Sequence, residues 1–257
     1  MELIYACVIL LTCIIGSTVG LSGGLFIRPI LDAIGYHNVL NISFLSSSAI
    51  LAMATVSTIQ KVRDGTKIAP GLALLISAGA AIGGVIGNLM LEHLVAAFYL
   101  EASAQRAQII LTVIALSLSI VLTTKKDLQA EIKSKLLTVI MGVLLGAVAA
   151  FSGIGGGPLN VPIMMIFFGM DMKRAAAYSI VIIFFSHFAR LVTLGITMGY
   201  GYFDLRMLVF ILPVAALGGL IGAKFSKMFM ASTVKRLFVG AIWLVIGLNI
   251  FNWVFMI

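Results

Sequence analysis

Residues 152–164 read S-G-I-G-G-G-P-L-N-V-P-I-M and interrupt an otherwise apolar sequence with four glycines and two prolines. Glycine and proline both destabilise a helix, so a regular helix is not expected to continue through this stretch. A shorter version, S-G-G-L-F-I-R-P-I-L, occupies residues 22–31 and lacks three residues of the longer one. The two copies predict one broken helix in each half of an internally repeated chain.

The segments on either side of these motifs are strongly apolar. The chain has 257 residues, of which 61% are hydrophobic and 10% are charged, whereas soluble proteins contain about 25% charged residues. Eight runs approach or exceed the roughly 18 residues that suggest a membrane-spanning helix. They are residues 3–21, 41–60, 68–90, 107–123, 136–151, 175–197, 207–223 and 237–256. We therefore expect an all-α, polytopic membrane protein embedded in the lipid bilayer.

Two shorter apolar stretches, 25–35 and 158–169, follow the glycine-rich motifs and contain Pro29 and Pro162. At about 1.5 Å per residue, a stretch of about 12 residues reaches about 18 Å, which is less than the roughly 30 Å hydrocarbon core. Each stretch is therefore either a re-entrant segment or the short half of a broken crossing.

In a second repeat, the sequence I-G-G-V-I-G at residues 82–87 matches L-G-G-L-I-G at residues 217–222. Small residues at this spacing let membrane helices approach closely, so packing is the favoured interpretation of both copies. The repeats divide the chain into two transmembrane halves, 1–123 and 134–257, joined by a basic cytoplasmic linker at 124–133. Internal repeats of this kind are typical of secondary transporters.

The basic residues discriminate between two arrangements of the halves. With Arg28 and Arg190 set aside, parallel halves of four crossings each place 8 and 7 cations on the two faces. Inverted halves of five crossings each place Arg106 and Arg206 on one face and the other 13 on the opposite face. Because cytoplasmic loops carry the excess of Lys and Arg, we favour two inverted repeats with both termini outside. Each repeat then has four long helices and one short broken helix.

The net charge of +8 is explained by this topology and by lipid head groups rather than by nucleic acid. We expect a multi-pass protein of a bacterial inner membrane. No oligomeric state is indicated by the sequence.

The two glycine-rich breaks are candidate substrate sites. A broken helix leaves peptide groups unpaired, which is tolerated where they line a cavity, and the N–H groups at a helix N-terminus attract anions. We therefore predict a small-anion site at the breaks, and close packing is the alternative. The candidates are Ser22, Gly23, Gly24, Ser152, Gly153, Gly155, Gly156, Gly157 and Asn160.

Two arginines lie within apolar segments, where a buried cation usually faces a cavity or a partner. Arg28 is a candidate substrate ligand, or else it pairs with Asp32 one turn later. Arg190 is a candidate on a polar stripe that begins at Ser179, or else it extends to the membrane surface. The hydroxyl groups of Ser46, Ser47 and Ser179 either donate to an oxyanion or bond to their own helix.

Asp32 and His187 are the candidates for coupling to H⁺ or Na⁺. Histidine titrates near neutral pH and can carry a proton, although a structural hydrogen bond is the alternative for His187. The pattern predicts neither a metal site nor a cofactor.

The motif S-G-I-G-G-G-P-L-N-V-P, its shorter copy and the two-half layout resemble the TauE/SafE family of sulfite exporters. The resemblance covers essentially the whole chain and implies export of sulfite, a sulfonate or another small organic anion. It places the family's glycine-proline motif at residues 153–162, with a shorter copy at residues 22–29. In this chain the shorter copy has Arg28 directly before its proline, so one half is expected to supply backbone amides and the other a positive charge.

These observations predict a secondary transporter that moves a small anion by alternating access, and not an enzyme. An anion channel of the same fold is the first alternative. The second is an intramembrane serine hydrolase, because G-L-S-G at residues 20–23 resembles the rhomboid protease motif and His187 could act as a base.

Overall fold

The structure is a computed structural model that describes residues 2–34, 39–97, 101–124, 132, 134–151 and 156–255. Ten α-helices and one short 3-10 helix make up nearly all of these residues. The helices are α1 (Glu2–Val19), α2 (Gly24–Ile34), α3 (Val39–Arg63), α4 (Pro70–Ala97), α5 (Glu101–Thr124), α6 (Lys135–Phe151), α7 (Asn160–Phe167), α8 (Met172–Met198), α9 (Arg206–Met228) and α10 (Ala231–Phe255), with the 3-10 helix at Tyr200–Tyr202.

The expectation of an all-α membrane protein is confirmed for the described residues, which contain no strand. Five of the helices are long and apolar enough to cross a membrane by length and composition, and three shorter apolar helices accompany them. The eight apolar runs correspond to the eight long helices, and the two short stretches correspond to α2 and α7. Helix α7 begins at Asn160, two residues later than predicted, because Pro158 lies in the turn before it.

Glycine brings α4 and α6 unusually close together. A Cβ added at Gly83 would lie 1.9 Å from the carbonyl oxygen of Val143, and one at Gly146 would lie 2.0 Å from that of Ala80. The second glycine repeat behaves alike, since Gly218 contacts α1 and Gly219 contacts α3. The packing interpretation of both repeats is confirmed, and large apolar side chains are left to face outward, where lipid covers them.

We predict that Gly83→Ala destabilises the protein, because the added methyl group would push the α4 and α6 backbones apart. Overpacking of this kind costs roughly 1–3 kcal/mol. Thermal melting of the purified protein in detergent measures the effect.

Gly84→Ala is the matched control, since it lies in the same helix and no heavy atom lies within 4 Å of its added Cβ. Both substitutions gain the same helix propensity. Equal melting temperatures for the two variants would contradict the packing argument.

Candidate functional site

The first break separates α1 from α2. Helix α1 ends at Val19, and the N–H groups of Gly20 and Leu21 both donate to the carbonyl of Gly16. Gly20 has a φ of +83°, and a Cβ there would lie 2.5 Å from the Cα of Ala176 on α8. Only glycine allows both this conformation and this contact. The first break is therefore pressed directly against the second half of the chain.

The second break separates α6 from α7. Its last residues, Gly156 and Gly157, have φ values of +76° and +113°. A Cβ on Gly157 would lie 2.7 Å from the peptide nitrogen of Ser22. The side chain of Ser119 on α5 donates a hydrogen bond to the carbonyl of Pro158 and holds the turn before α7. The two breaks are thus in contact with each other in the interior of the molecule.

Two side chains of α8 bind the first break. The hydroxyl of Ser179 donates to the carbonyl oxygen of Gly20 over 2.6 Å. The Nε2 atom of His187 lies 3.5 Å from the hydroxyl of Ser22, which also accepts the N–H of Gly24 over 3.3 Å. Helix α8 therefore supplies a polar surface to the break between α1 and α2.

A small cavity lies at the start of α7 and is lined by Gly156, Gly157, Pro158 and Asn160, together with apolar side chains. The Asn160 side chain is 2% exposed, and among the described residues its Nδ2 atom has no hydrogen-bond partner. Buried donors almost always have a partner, so an unpaired one at a cavity indicates room for an acceptor group. At this end of α7 the N–H groups of Val161 and Ile163 already donate to the carbonyls of Gly157 and Leu159, and Pro162 has none. The Asn160 side chain is therefore the described donor that is left for a ligand in this cavity.

A larger groove adjoins this cavity, and Ala149 lines both. Glycine and alanine of α4 and α6 form one side of the groove, and α8 contributes Ser186, His187, Arg190 and Thr193. An Nη2 atom of Arg190 donates to the hydroxyl of Ser43 on α3, over 2.5 Å. Among the described residues, no carboxylate lines either space, so the polar lining favours an anion.

The structure brings most of the described candidates together. Those at or beside the two breaks are Ser22, Gly23, Gly24, Gly156, Gly157, Asn160 and Ser179, and Arg190 and His187 line the adjoining groove. Ser46 donates to the carbonyl of Ser43 in its own helix, and Ser47 is buried with no partner for its hydroxyl among the described residues.

Other candidates fall where the structure describes less. Ser152, Gly153 and Gly155 lie outside the described residues. Arg28 and Asp32 lie in α2, but their side chains are outside the described part of the chain. Their roles as ligand and coupling residue remain predictions.

Sequence reasoning missed Ser119 and Ser43, which hold Pro158 and Arg190. Nothing in the sequence distinguishes Ser119 from Ser117 two residues earlier, although the first is buried and the second exposed. The helix is apolar around its whole circumference, so its pattern does not indicate which side faces the core.

Interrupted helices that meet beside buried hydrogen-bond donors and a half-buried arginine, inside a bundle of apolar helices, are typical of a multi-pass membrane protein of the transporter class. The model of the sulfite exporter TauE/SafE family matches residues 5–250, and the chain belongs to this family. The resemblance drawn from the glycine-proline motif is confirmed over nearly the whole chain. No curated protein and no solved structure matches the chain.

We predict that Gly157→Ala disrupts the contact between the two breaks. The added methyl group would meet the backbone of Leu21 and Ser22. The melting temperature in detergent is expected to fall further than for Gly156→Ala.

Gly156→Ala is the control because its φ is also positive, while its added Cβ would meet nothing nearer than 3.6 Å. The two variants share the backbone penalty and differ in the clash. If Gly156→Ala is as damaging as Gly157→Ala, contact between the breaks is not what stabilises this region.

Proposed function

We propose that the protein is a secondary transporter that exports a small anion, such as sulfite, a sulfonate or a small organic anion, by alternating access. The observation that carries the proposal is the contact between the two broken segments, where Gly157 lies against Ser22. Transporters of this general kind bind their substrate where interrupted helices of two repeats meet.

We further propose that the two halves are inverted repeats. The main helix contacts support a two-fold repeat, because they occur in pairs that are related by moving five helices along the chain. Helix α1 packs on α9 as α6 packs on α4, and α3 packs on α9 as α8 packs on α4. Likewise α2 packs on α3 as α7 packs on α8. A two-fold relation between the halves produces this reciprocity.

The basic loops support inversion over a parallel arrangement. Parallel halves would place Lys61 and Lys227 on opposite faces of the membrane. In the structure, Lys227 forms a 2.8 Å ion pair with Asp64, and Lys61 donates to Ser226 over 2.9 Å. The ends of α3 and α9 therefore share one face, as five crossings per half require. This face carries the basic residues and is proposed to be cytoplasmic.

We predict that the C-terminus lies outside the cytoplasm. A fluorescent protein fused after residue 257 is expected to be dark and an alkaline phosphatase fusion active. The same two reporters inserted in the loop at residues 64–69 should give the reverse pattern. A fluorescent C-terminal fusion would refute the inverted topology.

The chemistry of the proposed site suits a compact oxyanion. The N–H donors of the Asn160 amide can bind an oxyanion without bringing negative charge. Arg190 adds a fixed cation in the adjoining groove. Sulfite and sulfonates present several acceptor oxygens and a delocalised charge, which such neutral donors can share.

We predict that Asn160→Asp abolishes anion flux, because it places a carboxylate of nearly the same shape where the anion binds. Uptake of sulfite and of a sulfonate into proteoliposomes is expected to fall at least about tenfold, equivalent to about 1.4 kcal/mol. Arg190→Ala should reduce the same flux by a smaller factor.

The control is Asn249→Asp on α10, where the amide donates to the carbonyl of Val245 in its own helix. This variant makes the same chemical change far along the chain and should retain flux. Wild-type flux in both Asn160→Asp and Arg190→Ala would remove the proposed site.

An anion channel of the same fold is the alternative within the same class. Saturable counterflow in liposomes supports a carrier, whereas large unitary currents across a planar bilayer support a channel.

The contact between Ser22 and His187 is the observation that favours a hydrolase or, in a transporter, a proton-carrying role for His187. Ser22 is fully buried and caps the N–H of Gly24, which is a structural role.

Intact flux in Ser22→Ala would exclude a nucleophilic serine. Loss of the response to a pH gradient in His187→Asn, with flux retained, would assign proton coupling to His187.

A further inference from the structure

A second polar cavity lies at the end of the molecule where α3 ends, α8 begins and α9 ends. It is partly open at the surface of the molecule. Its charged lining consists of Lys61, Lys67, Lys173, Arg174 and Lys227 with Asp64 and Asp171. Among the described residues this is an excess of three positive charges, and none of the residues belongs to the site at the two breaks.

Lys61 is the unusual member of this lining. Its side chain is 4% exposed, and its ammonium group donates to the hydroxyl of Ser226 over 2.9 Å. A lysine needs only to face the cytoplasm to direct topology, and burial is not required for that purpose. Burying an ammonium beside a neutral hydroxyl is unfavourable, and an anion bound to it would offset that cost.

The two carboxylates of the cavity are engaged elsewhere. Asp64 accepts from Lys227 over 2.8 Å and from Gln60 over 3.1 Å, and the hydrogen bond from Lys227 lowers the pKa of its carboxyl. Asp171 caps α8 by accepting the N–H groups of Lys173 and Arg174.

Three cations of the cavity therefore form no ion pair with a carboxylate in the part of the chain that the structure describes. They are Lys61, Lys67 and Arg174.

The walls of the cavity are fixed in place. The ammonium of Lys173 donates to the carbonyl of Lys227, which ties α8 to the end of α9. The N–H of Ala69 donates to the hydroxyl of the buried Tyr178 over 2.7 Å and ties the loop after α3 to α8. The cations are thus arranged around a space that exists before a ligand enters, which lowers the entropic cost of binding.

We propose that this cavity, formed by the ends of α3, α8 and α9, is a second anion-binding site that takes a phosphate- or sulfate-type oxyanion on the Lys61 ammonium. Free oxyanions and the phosphate of an anionic lipid share this chemistry. Binding here does not depend on the transport proposed above. With the proposed topology the cavity opens to the cytoplasm, where an anion would gather before export, and that consequence does rest on the proposed function.

Sulfate binding to the full-length protein in uncharged detergent tests the site. We measure the sulfate dissociation constant by calorimetry and the melting temperature with sulfate against chloride at equal ionic strength. Wild type should melt several degrees higher in sulfate, because a ligand that binds only the folded state stabilises it. Lys61→Met should weaken sulfate binding about tenfold or more, since hydrogen bonds to ionised groups are the strong ones.

Lys235→Met is the matched control, because Lys235 is a cation at the start of α10 that does not line the cavity. It should bind sulfate as wild type does. Lys173→Gln is a second test that leaves the buried position unchanged and should also weaken binding. Wild-type sulfate affinity in both Lys61→Met and Lys173→Gln would overturn the proposal.

Asn160→Asp separates this cavity from the site at the two breaks. If sulfate binding depends on Asn160 and not on Lys61, the cavity site is refuted and the central site is supported. If sulfate binding depends on Lys61 and the wild type nevertheless shows no anion flux, the transport proposal is refuted and the cavity site is supported.

Nanodiscs of phosphatidylcholine with and without phosphatidylglycerol identify the source of the oxyanion. Stabilisation by phosphatidylglycerol that Lys61→Met removes, without an effect of sulfate, assigns the site to a lipid head group. An effect of sulfate in phosphatidylcholine alone assigns it to a free anion. No Lys61-dependent effect of either would refute the site.

Discussion

Peptide groups released by two interrupted helices must find partners inside the protein, because hydrocarbon offers none. This requirement explains why the breaks meet each other rather than face lipid. The carbonyl of Gly20 accepts from Ser179, and the carbonyl of Pro158 accepts from Ser119. Each bond joins a break to a different helix. The hydrogen bonds therefore stabilise the breaks and also the packing of the surrounding helices.

Such close approach of helix backbones depends on small residues throughout the interior. Gly83 and Gly146 let α4 and α6 approach until a methyl group would not fit, and Gly218 with Gly219 does the same for α9. Association in a bilayer gains little from the hydrophobic effect, so close van der Waals packing carries more of the stability. Gly146 and its packing partner Ala80 also line the groove to which Arg190 and His187 contribute, so close packing of α4 and α6 shapes one side of that groove.

The sequence predicts the helices well and the contacts poorly, for a physical reason. Apolar length and the glycine-proline motifs determine where helices run and where they break, and these were recovered, including the short α2 and α7. The rotation of each helix about its axis cannot be predicted in this way, because helices that are apolar all round carry no pattern that marks the buried face. Sequence therefore could not tell that Ser46 bonds within its own helix or that Ser119 holds Pro158. It also could not separate the buried Lys61 from the exposed Lys67, since both read as basic loop residues.

The two breaks are not equivalent, although their sequences are copies. In the first, Gly16 accepts two N–H groups at the end of α1, and Ser22 caps α2 and contacts His187, so its polar groups are largely occupied. In the second, Asn160 leaves a buried donor at a cavity among the described residues. In the described residues, the first break is therefore closed by side chains, whereas the second leaves a donor open at a cavity. The second copy is also three residues longer than the first and contains two more glycines, so the two breaks differ in sequence as well as in their described contacts.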